Sequence, residues 1–198
     1  MFGIKKASPP EWIIVGLGNP GKKYEIPRHN AGFICIDRLA EKCGVKLNKL
    51  SFNALTANCS IGGTDCLLMK PQTFMNLSGE AVSAAAEKYN IPSERIVVIA
   101  DDISFNVGTL RIRRNGSSGG QNGLNNIILM LDTQNFPRIK VGVGKRPESI
   151  PTVDWVLSEF GIDEMKIIKE VAESASLAVE EIITADVDSA MGKYNKTV

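Results

Sequence analysis

Trp12-Ile-Ile-Val-Gly-Leu17 is a short, continuous apolar run that leads into a glycine-rich turn, and it predicts a buried strand. Ile96-Val-Val-Ile-Ala100 predicts a second buried strand. Segments with helical spacing alternate with further strands around these two runs, and this alternation predicts a single-domain α/β protein over residues 1–198. The predicted helices cover residues 30–43, 77–89, 124–131 and 163–184, and the other predicted strands cover 53–61, 65–70, 107–113 and 139–143.

The composition is that of an ordinary soluble domain. The chain has 198 residues, of which 43% are hydrophobic and 23% are charged, so it can bury one sizeable core and is not expected to be disordered. No apolar stretch approaches the roughly 18 residues that span a bilayer. Residues 1–10 lack the apolar run of a signal peptide. We therefore expect a cytoplasmic protein in which residues 1–10 form a loose extension.

The four cysteines do not predict a metal site. They contain no C-x-x-C pair, and the chain has one histidine, so a Cys/His zinc set is not expected. Cys59 and Cys66 flank the predicted turn at Gly62-Gly63 and could face each other across a hairpin. A chain with a core and no export signal is expected to keep these groups as thiols.

Charge is distributed unevenly along the chain. Residues 103–147 contain seven basic residues and one acid, whereas residues 148–198 contain eleven acids and four bases. The net charge of the whole chain is only +1. Separate solvated faces would explain such a pattern, but segregation of this size also indicates a surface that binds a polyanion.

Gly16-Leu-Gly18-Asn-Pro-Gly21 matches the G-x-G-x-x-G signature of dinucleotide-binding proteins. That signature needs a helix beginning at its third glycine. The following residues lack helical periodicity, and Pro27 would break a helix within two turns. We therefore do not expect a nicotinamide or flavin site.

The candidate chemistry centres on His29, the only histidine. An imidazole titrates near neutral pH and is the natural general base there. Asp101 and Asp102 follow a buried strand, where sites in α/β sheets collect, and one of them could orient His29. Each residue also has a structural interpretation, as a core histidine or as a helix cap. The residues alone predict a metal-free hydrolase with a histidine-activated water and asparagine side chains around the substrate.

Four sequence motifs are spread along most of the chain. The first runs from Val15-Gly-Leu-Gly-Asn-Pro-Gly21 to Arg28-His-Asn-Ala-Gly32, and the second is Lys70-Pro-Gln-Thr-Phe-Met-Asn-Leu-Ser-Gly79. The others are Gly116-Ser-Ser-Gly-Gly-Gln-Asn-Gly-Leu124 and Phe136-Pro-Arg-Ile-Lys-Val-Gly-Val-Gly144. In content and order these motifs resemble those of the bacterial peptidyl-tRNA hydrolases. The resemblance covers about residues 12–195 and implies a single α/β domain whose twisted, mixed β-sheet is flanked by helices.

The resemblance also implies an activity and its catalytic residues. The expected reaction is hydrolysis of the ester bond of peptidyl-tRNA released from stalled ribosomes, by a monomer without cofactor or metal. His29 is expected to activate the water and Asp102 to orient His29. Asn19 and Asn76 are expected to hold the substrate near the ester, and Asn122 to position the water or the developing oxyanion.

The remaining expected contacts are with tRNA. Tyr24 and Phe74 are expected to line the site and contact the tRNA 3′ end or the peptide, and Arg113 and Arg138 match positions associated with phosphate contact. The sequence departs from the family's usual pattern at Gln121, where a histidine is common, and at Pro27, where a threonine is common. The alternative function is a non-catalytic RNA-binding protein on the same fold.

Overall fold

The computed structural model describes residues 8–21 and 27–195. The strands are β1 Trp12–Gly16, β2 Lys49–Ser51, β3 Ala54–Ile61, β4 Thr64–Pro71, β5 Ile96–Asp102, β6 Leu110–Arg113 and β7 Arg138–Gly142. The helices are α1 Ala31–Lys42, α2 Ser78–Tyr89, α3 Asn122–Leu131, α4 Thr152–Leu157, α5 Ile162–Thr184 and α6 Val187–Tyr194.

The strands form one mixed sheet in the order β2-β3-β4-β1-β5-β7-β6. Strand β1 lies at the centre and pairs in parallel with β4 and β5, and β5 pairs in parallel with β7. Strands β2, β3 and β6 are antiparallel to their neighbours. The carboxyl ends of β1, β4, β5 and β7 therefore lie at the same end of the sheet, where ligand sites of α/β sheets form.

The core has two layers because successive strand residues point to opposite faces of the sheet. Ile14 and Ile99 belong to the layer that also contains buried residues of α1, α5 and α6. Ile13 and Val98 belong to the layer that contains buried residues of α2 and α3. All four side chains are fully buried, and such burial contributes about 1.5–3 kcal/mol for each side chain.

The expected α/β fold with a mixed sheet is confirmed. The predicted hairpin appears as β3 and β4, with Cys59 opposite Cys66 in the register and both cysteines present as free thiols. The predicted helix over 163–184 corresponds to α5. Three short elements, β2, α4 and α6, were not predicted. Most of the proposed N-terminal extension, residues 1–7, lies outside the described residues.

Candidate active site

His29 lies at the end of the sheet where the parallel strands have their carboxyl ends, in the single 3-10 turn Arg28–Asn30 that precedes α1. Gly32 allows the start of α1 to approach the sheet closely. A Cβ atom at Gly32 would lie 2.5 Å from the Leu17 backbone nitrogen and 2.4 Å from the Ile99 carbonyl oxygen. Any side chain there would push α1 away, so this glycine keeps His29 against the end of β5.

His29 and Asp101 form a buried pair. Nδ1 of His29 lies 2.9 Å from Oδ2 of Asp101, and the two side chains are 10% and 3% exposed. Burial lowers the pKa of His29, but the charge of Asp101 and the hydrogen bond to it outweigh burial, so the pKa is raised above 6.5. Because an ionised carboxylate only accepts, Nδ1 carries the proton and Nε2 is left to act as a base.

The prediction that Asp102 orients His29 is wrong, because Asp101 occupies that position. Asp102 instead accepts hydrogen bonds from Lys140 Nζ at 2.9 Å and from the Ser104 backbone N–H at 2.8 Å. Adjacent residues of a strand point to opposite faces, so only one of the two carboxylates can face His29. Asp101 shares its face of β5 with Ile99, which packs in the same layer as α1. The alternation along β5 separates the two carboxylates, and the packing of α1 against one face of the sheet determines which of them faces His29.

A cavity of about 330 Å³ opens beside this pair. Its polar wall includes His29, Asp101 and the loop that ends in Gln121 and Asn122, and Val153 and Val156 of α4 form an apolar wall. Asn122 is the exposed first residue of α3. The predicted base and one predicted amide side chain therefore share a single cavity, with Asp102 also at its margin.

Asn19 has a structural role in addition to the predicted one. Its Oδ1 accepts a hydrogen bond from the Met75 backbone N–H at 2.8 Å, which uses one of the two lone pairs of that oxygen within the fold. The Asn19 backbone N–H donates to Oδ1 of Asn30 at 2.8 Å. The first bond joins the turn after β1 to the turn that carries Asn76, and the second joins it to the 3-10 turn that carries His29.

Asn76 and Phe74 are both exposed, and Phe74 is 60% exposed. Neither residue is among those that line the 330 Å³ cavity. Asn19 lines a second cavity, of about 420 Å³, together with Asn30, Phe33 and Lys70. Tyr24 lies outside the described residues.

Arg28 fixes the wall opposite the histidine, and sequence analysis missed this role. Its guanidinium lies 4.2 Å from the centre of the Trp155 ring and donates to Glu164 Oε2 at 2.7 Å. It also donates to the Val143 carbonyl oxygen at 2.6 Å. Arg28 therefore ties the segment containing α4 to the residue beside His29. The sequence around Arg28 could not predict these contacts, because its partners lie more than a hundred positions away.

The structure contradicts the prediction that Arg138 contacts phosphate. Arg138 is 1% exposed, and its guanidinium donates to the carbonyl oxygens of Gly116, Ser117, Gln134 and Phe136. Burial lowers its pKa to about 10, which still leaves it charged at neutral pH. Arg138 therefore holds the loop before Gln121 against β7. Arg113, its register partner on edge strand β6, is exposed.

Arg138→Ala is expected to lower the free energy of unfolding by at least about 2 kcal/mol, because it leaves buried carbonyl groups without a donor. Arg113→Ala is the matched control on the neighbouring strand and is expected to stay within about 0.5 kcal/mol of the wild type. Chemical denaturation of the two variants measures both values. Equal stability of the two would contradict the structural role of Arg138.

Within residues 8–21 and 27–195, no three His, Cys, Asp or Glu side chains are arranged to bind a metal ion. No helix in these ranges combines the length and apolar character needed to cross a bilayer.

Comparisons with known proteins show which family this chain and its fold are similar to. The family model described as "Peptidyl-tRNA hydrolase" matches residues 13–198. A peptidyl-tRNA hydrolase of Alkaliphilus metalliredigens is 50% identical over 184 residues, which cover 93% of this chain and 99% of that protein. One from Caldanaerobacter subterraneus subsp. tengcongensis is 47% identical over the same shares of the two chains. The crystal structure of peptidyl-tRNA hydrolase from Acinetobacter baumannii superposes with a TM-score of 0.89 at 32% identity, covering 96% of this chain and 98% of that one. With its fold, its motifs and nearly its whole length matched, the chain belongs to the peptidyl-tRNA hydrolase family.

Proposed function

We propose that this enzyme hydrolyses the ester bond that joins a peptide to the 3′ end of tRNA, with His29 as the general base and Asp101 as the residue that orients it. The observation that carries the proposal is the buried 2.9 Å hydrogen bond between Nδ1 and Oδ2 at the wall of an open cavity. A fixed imidazole with a raised pKa is suited to exchange protons with water and with an alcohol leaving group.

The reaction needs one water and no external redox partner. As the water oxygen attacks the ester carbonyl carbon, Nε2 of His29 takes its proton, and Asp101 stabilises the imidazolium that forms. The tetrahedral intermediate then collapses and the bond to the ribose oxygen breaks. The imidazolium returns its proton to that oxygen, which leaves a peptide carboxylic acid, a free tRNA hydroxyl and a neutral histidine.

The amide side chains would hold the substrate and the water in the same way at every pH, because an amide does not ionise in the working range. Asn122 lines the cavity and is placed to hold the attacking water or the developing oxyanion, since an amide offers both donors and an acceptor. The Nδ2 group of Asn19 and the side chains of Asn76 and Phe74 would contact the acceptor end of the tRNA or the peptide. For Tyr24 the same role remains a prediction from the sequence.

The experiment that separates an enzyme from an RNA-binding protein on this fold is turnover of an N-blocked aminoacyl-tRNA. Release of many equivalents of blocked amino acid per enzyme supports hydrolysis, whereas stoichiometric binding without release supports the alternative. The buried His29–Asp101 pair favours hydrolysis, because RNA binding alone does not require a proton acceptor that is held in a fixed orientation at a cavity wall.

We also infer a cytoplasmic monomer that works without metal. The substrate arises during translation in the cytoplasm, and the groups assigned to the reaction all come from one chain. A histidine base and amide donors supply the proton transfers and the charge stabilisation that ester hydrolysis requires.

Arg113 is the residue through which we expect the basic segment to act on tRNA. If it neutralises one phosphate, Arg113→Ala should reduce the slope of log affinity against log salt by about one. Hydrolysis of a blocked amino acid on a short 3′ fragment should change little, because that fragment lacks the distant phosphate.

The matched control is Arg38→Ala, which removes an exposed arginine of α1 that is ion-paired with Glu41 and with Glu173 of α5. Titrating tRNA against each variant over a salt series gives the slopes. If Arg113→Ala kept the wild-type slope, or if both substrates lost the same rate, the tRNA would lie elsewhere on the surface.

A further inference from the structure

Gln121 connects the proposed catalytic carboxylate to two other elements through one side chain. Its Nε2 donates to Oδ1 of Asp101 at 2.9 Å and contacts Sδ of Met75 at 3.2 Å. Its Oε1 accepts from the Leu124 backbone N–H at 2.7 Å and so caps α3. The side chain thus links β5, the turn after β4 and the start of α3.

The orientation of this amide is fixed by its partners. A backbone N–H can only donate, so the atom facing Leu124 must be the amide oxygen, and the nitrogen must face Asp101. Gly123 leaves the necessary space, because a Cβ there would lie 2.7 Å from Met75 Sδ and 3.1 Å from Gln121 Oε1. The donor to Asp101 is therefore determined by the helix cap.

From the described residues, Asp101 receives one hydrogen bond on each oxygen. Oδ1 accepts from Gln121, and Oδ2 accepts from Nδ1 of His29. These two bonds fix the carboxylate at both ends, so rotation about its terminal bond would break both. Since Asp101 is 4% exposed, solvent does not offer it an equivalent set of donors.

We propose that Gln121 is a positioning residue that clamps Oδ1 of Asp101, so that Oδ2 stays aimed at His29, and that its amide keeps a second charge out of the pair. The inference rests on the proposed role of His29 and Asp101. It also gives a function to the departure noted in the sequence, since glutamine donates like an imidazole N–H but does not titrate near neutral pH.

Two further charged residues near His29 in the described part of the chain, Asp102 and Arg28, are each paired. Asp102 is bonded to Lys140 on β7, and Arg28 is bonded to Glu164 on α5. Each pair is neutral as a unit, so the charge of Asp101 dominates the field at the imidazole. A new carboxylate at position 121 would change that field directly.

The decisive variant is Gln121→Glu. It has nearly the same shape and keeps the acceptor for Leu124. Two carboxyl groups this close share one proton, so above the pH at which that proton leaves, where kcat is compared, the variant lacks the donor to Asp101 and carries an added negative charge. We expect kcat to fall roughly 10- to 100-fold, because the carboxylate and His29 are no longer held in line, with KM nearly unchanged. The acid limb of the kcat/KM profile should move up by about one pH unit, because a second nearby carboxylate stabilises the imidazolium.

Gln134→Glu is the matched control, since it makes the same chemical change at an exposed position between α3 and β7. It should leave kcat and the acid limb unchanged. If Gln121→Glu does not fold, Gln121→Met removes the donor without adding charge and is expected to lower kcat at unchanged KM. Melting curves identify the folded variants.

His29→Ala distinguishes a failure of the role of Gln121 from a failure of the proposed function. If it is inactive while a folded Gln121→Glu keeps the wild-type kcat and acid limb, the role of Gln121 is overturned and the proposed function stands. If His29→Ala is itself active, the proposed function is wrong. A loss of kcat in Gln121→Glu with an upward shift of the acid limb supports the positioning role.

Discussion

His29→Ala is expected to lower kcat by roughly 10²- to 10⁴-fold, the range that a general base contributes. His29 is the only histidine in the chain, so no second imidazole can take over the proton transfer. The measurement is the initial rate of hydrolysis of N-blocked aminoacyl-tRNA at saturating substrate, with tRNA affinity measured in parallel.

The affinity for tRNA should stay close to that of the wild type, because His29 is 8% exposed and offers little surface to the nucleic acid. A folded His29→Ala variant with near-wild-type kcat would show that the base is another group. A loss confined to KM would make His29 a substrate contact.

Asp101→Asn is expected to lower kcat by up to about 10⁴-fold through the wrong histidine tautomer. Gln121 still donates toward the position of Oδ1, so the new amide places its oxygen there and its NH2 group toward Nδ1. Nδ1 must then accept, which puts the proton on Nε2 and blocks the base. Steady-state rates across pH measure the effect.

The direction in which the acid limb of the pH profile moves is an independent test of the role of Asp101. A general base works in its neutral form, so kcat/KM falls as the pH drops through the pKa of His29. Asp101→Asn removes the charge that raises this pKa and leaves the burial that lowers it. The acid limb should therefore move to lower pH, below 6.5, while the plateau rate falls.

Asp102→Asn is the matched control for this prediction. It makes the same change one residue further along β5, at a side chain bonded to Lys140 and not to His29. We expect it to keep kcat and the acid limb close to those of the wild type. A larger loss in Asp102→Asn than in Asp101→Asn would restore the assignment made from the sequence.

The sequence predicted what depends on local patterns. The apolar run before Gly16 and the one before Asp101 predicted two buried strands, and the structure places both at the centre of the sheet, where they pair in parallel. The histidine was identified by its chemistry and by the motif around it. The prediction also placed both carboxylates correctly, at the carboxyl end of β5.

The sequence could not predict which face of the sheet a side chain occupies, or which residues far apart in the sequence are in contact. Choosing Asp101 over Asp102 needs the face of β5 against which α1 packs, and that face is set by the whole sheet. Arg138 has the charge that a phosphate contact needs, but its side chain is buried and bonds to the Gly116 carbonyl oxygen. The second role of Asn19, as an acceptor for Met75, joins residues 56 positions apart.

The most direct test of the proposed mechanism is an NMR titration of the imidazole of His29, in tag-free protein with isotope-labelled histidine. A single histidine gives a single set of ring signals. We expect the Nδ1–H tautomer at high pH and a pKa above 6.5 in the wild type and in Asp102→Asn, and a pKa below 6.5 in Asp101→Asn. A pKa that is unmoved by Asp101→Asn, or that falls only in Asp102→Asn, would contradict the assignment of Asp101 as the partner of His29.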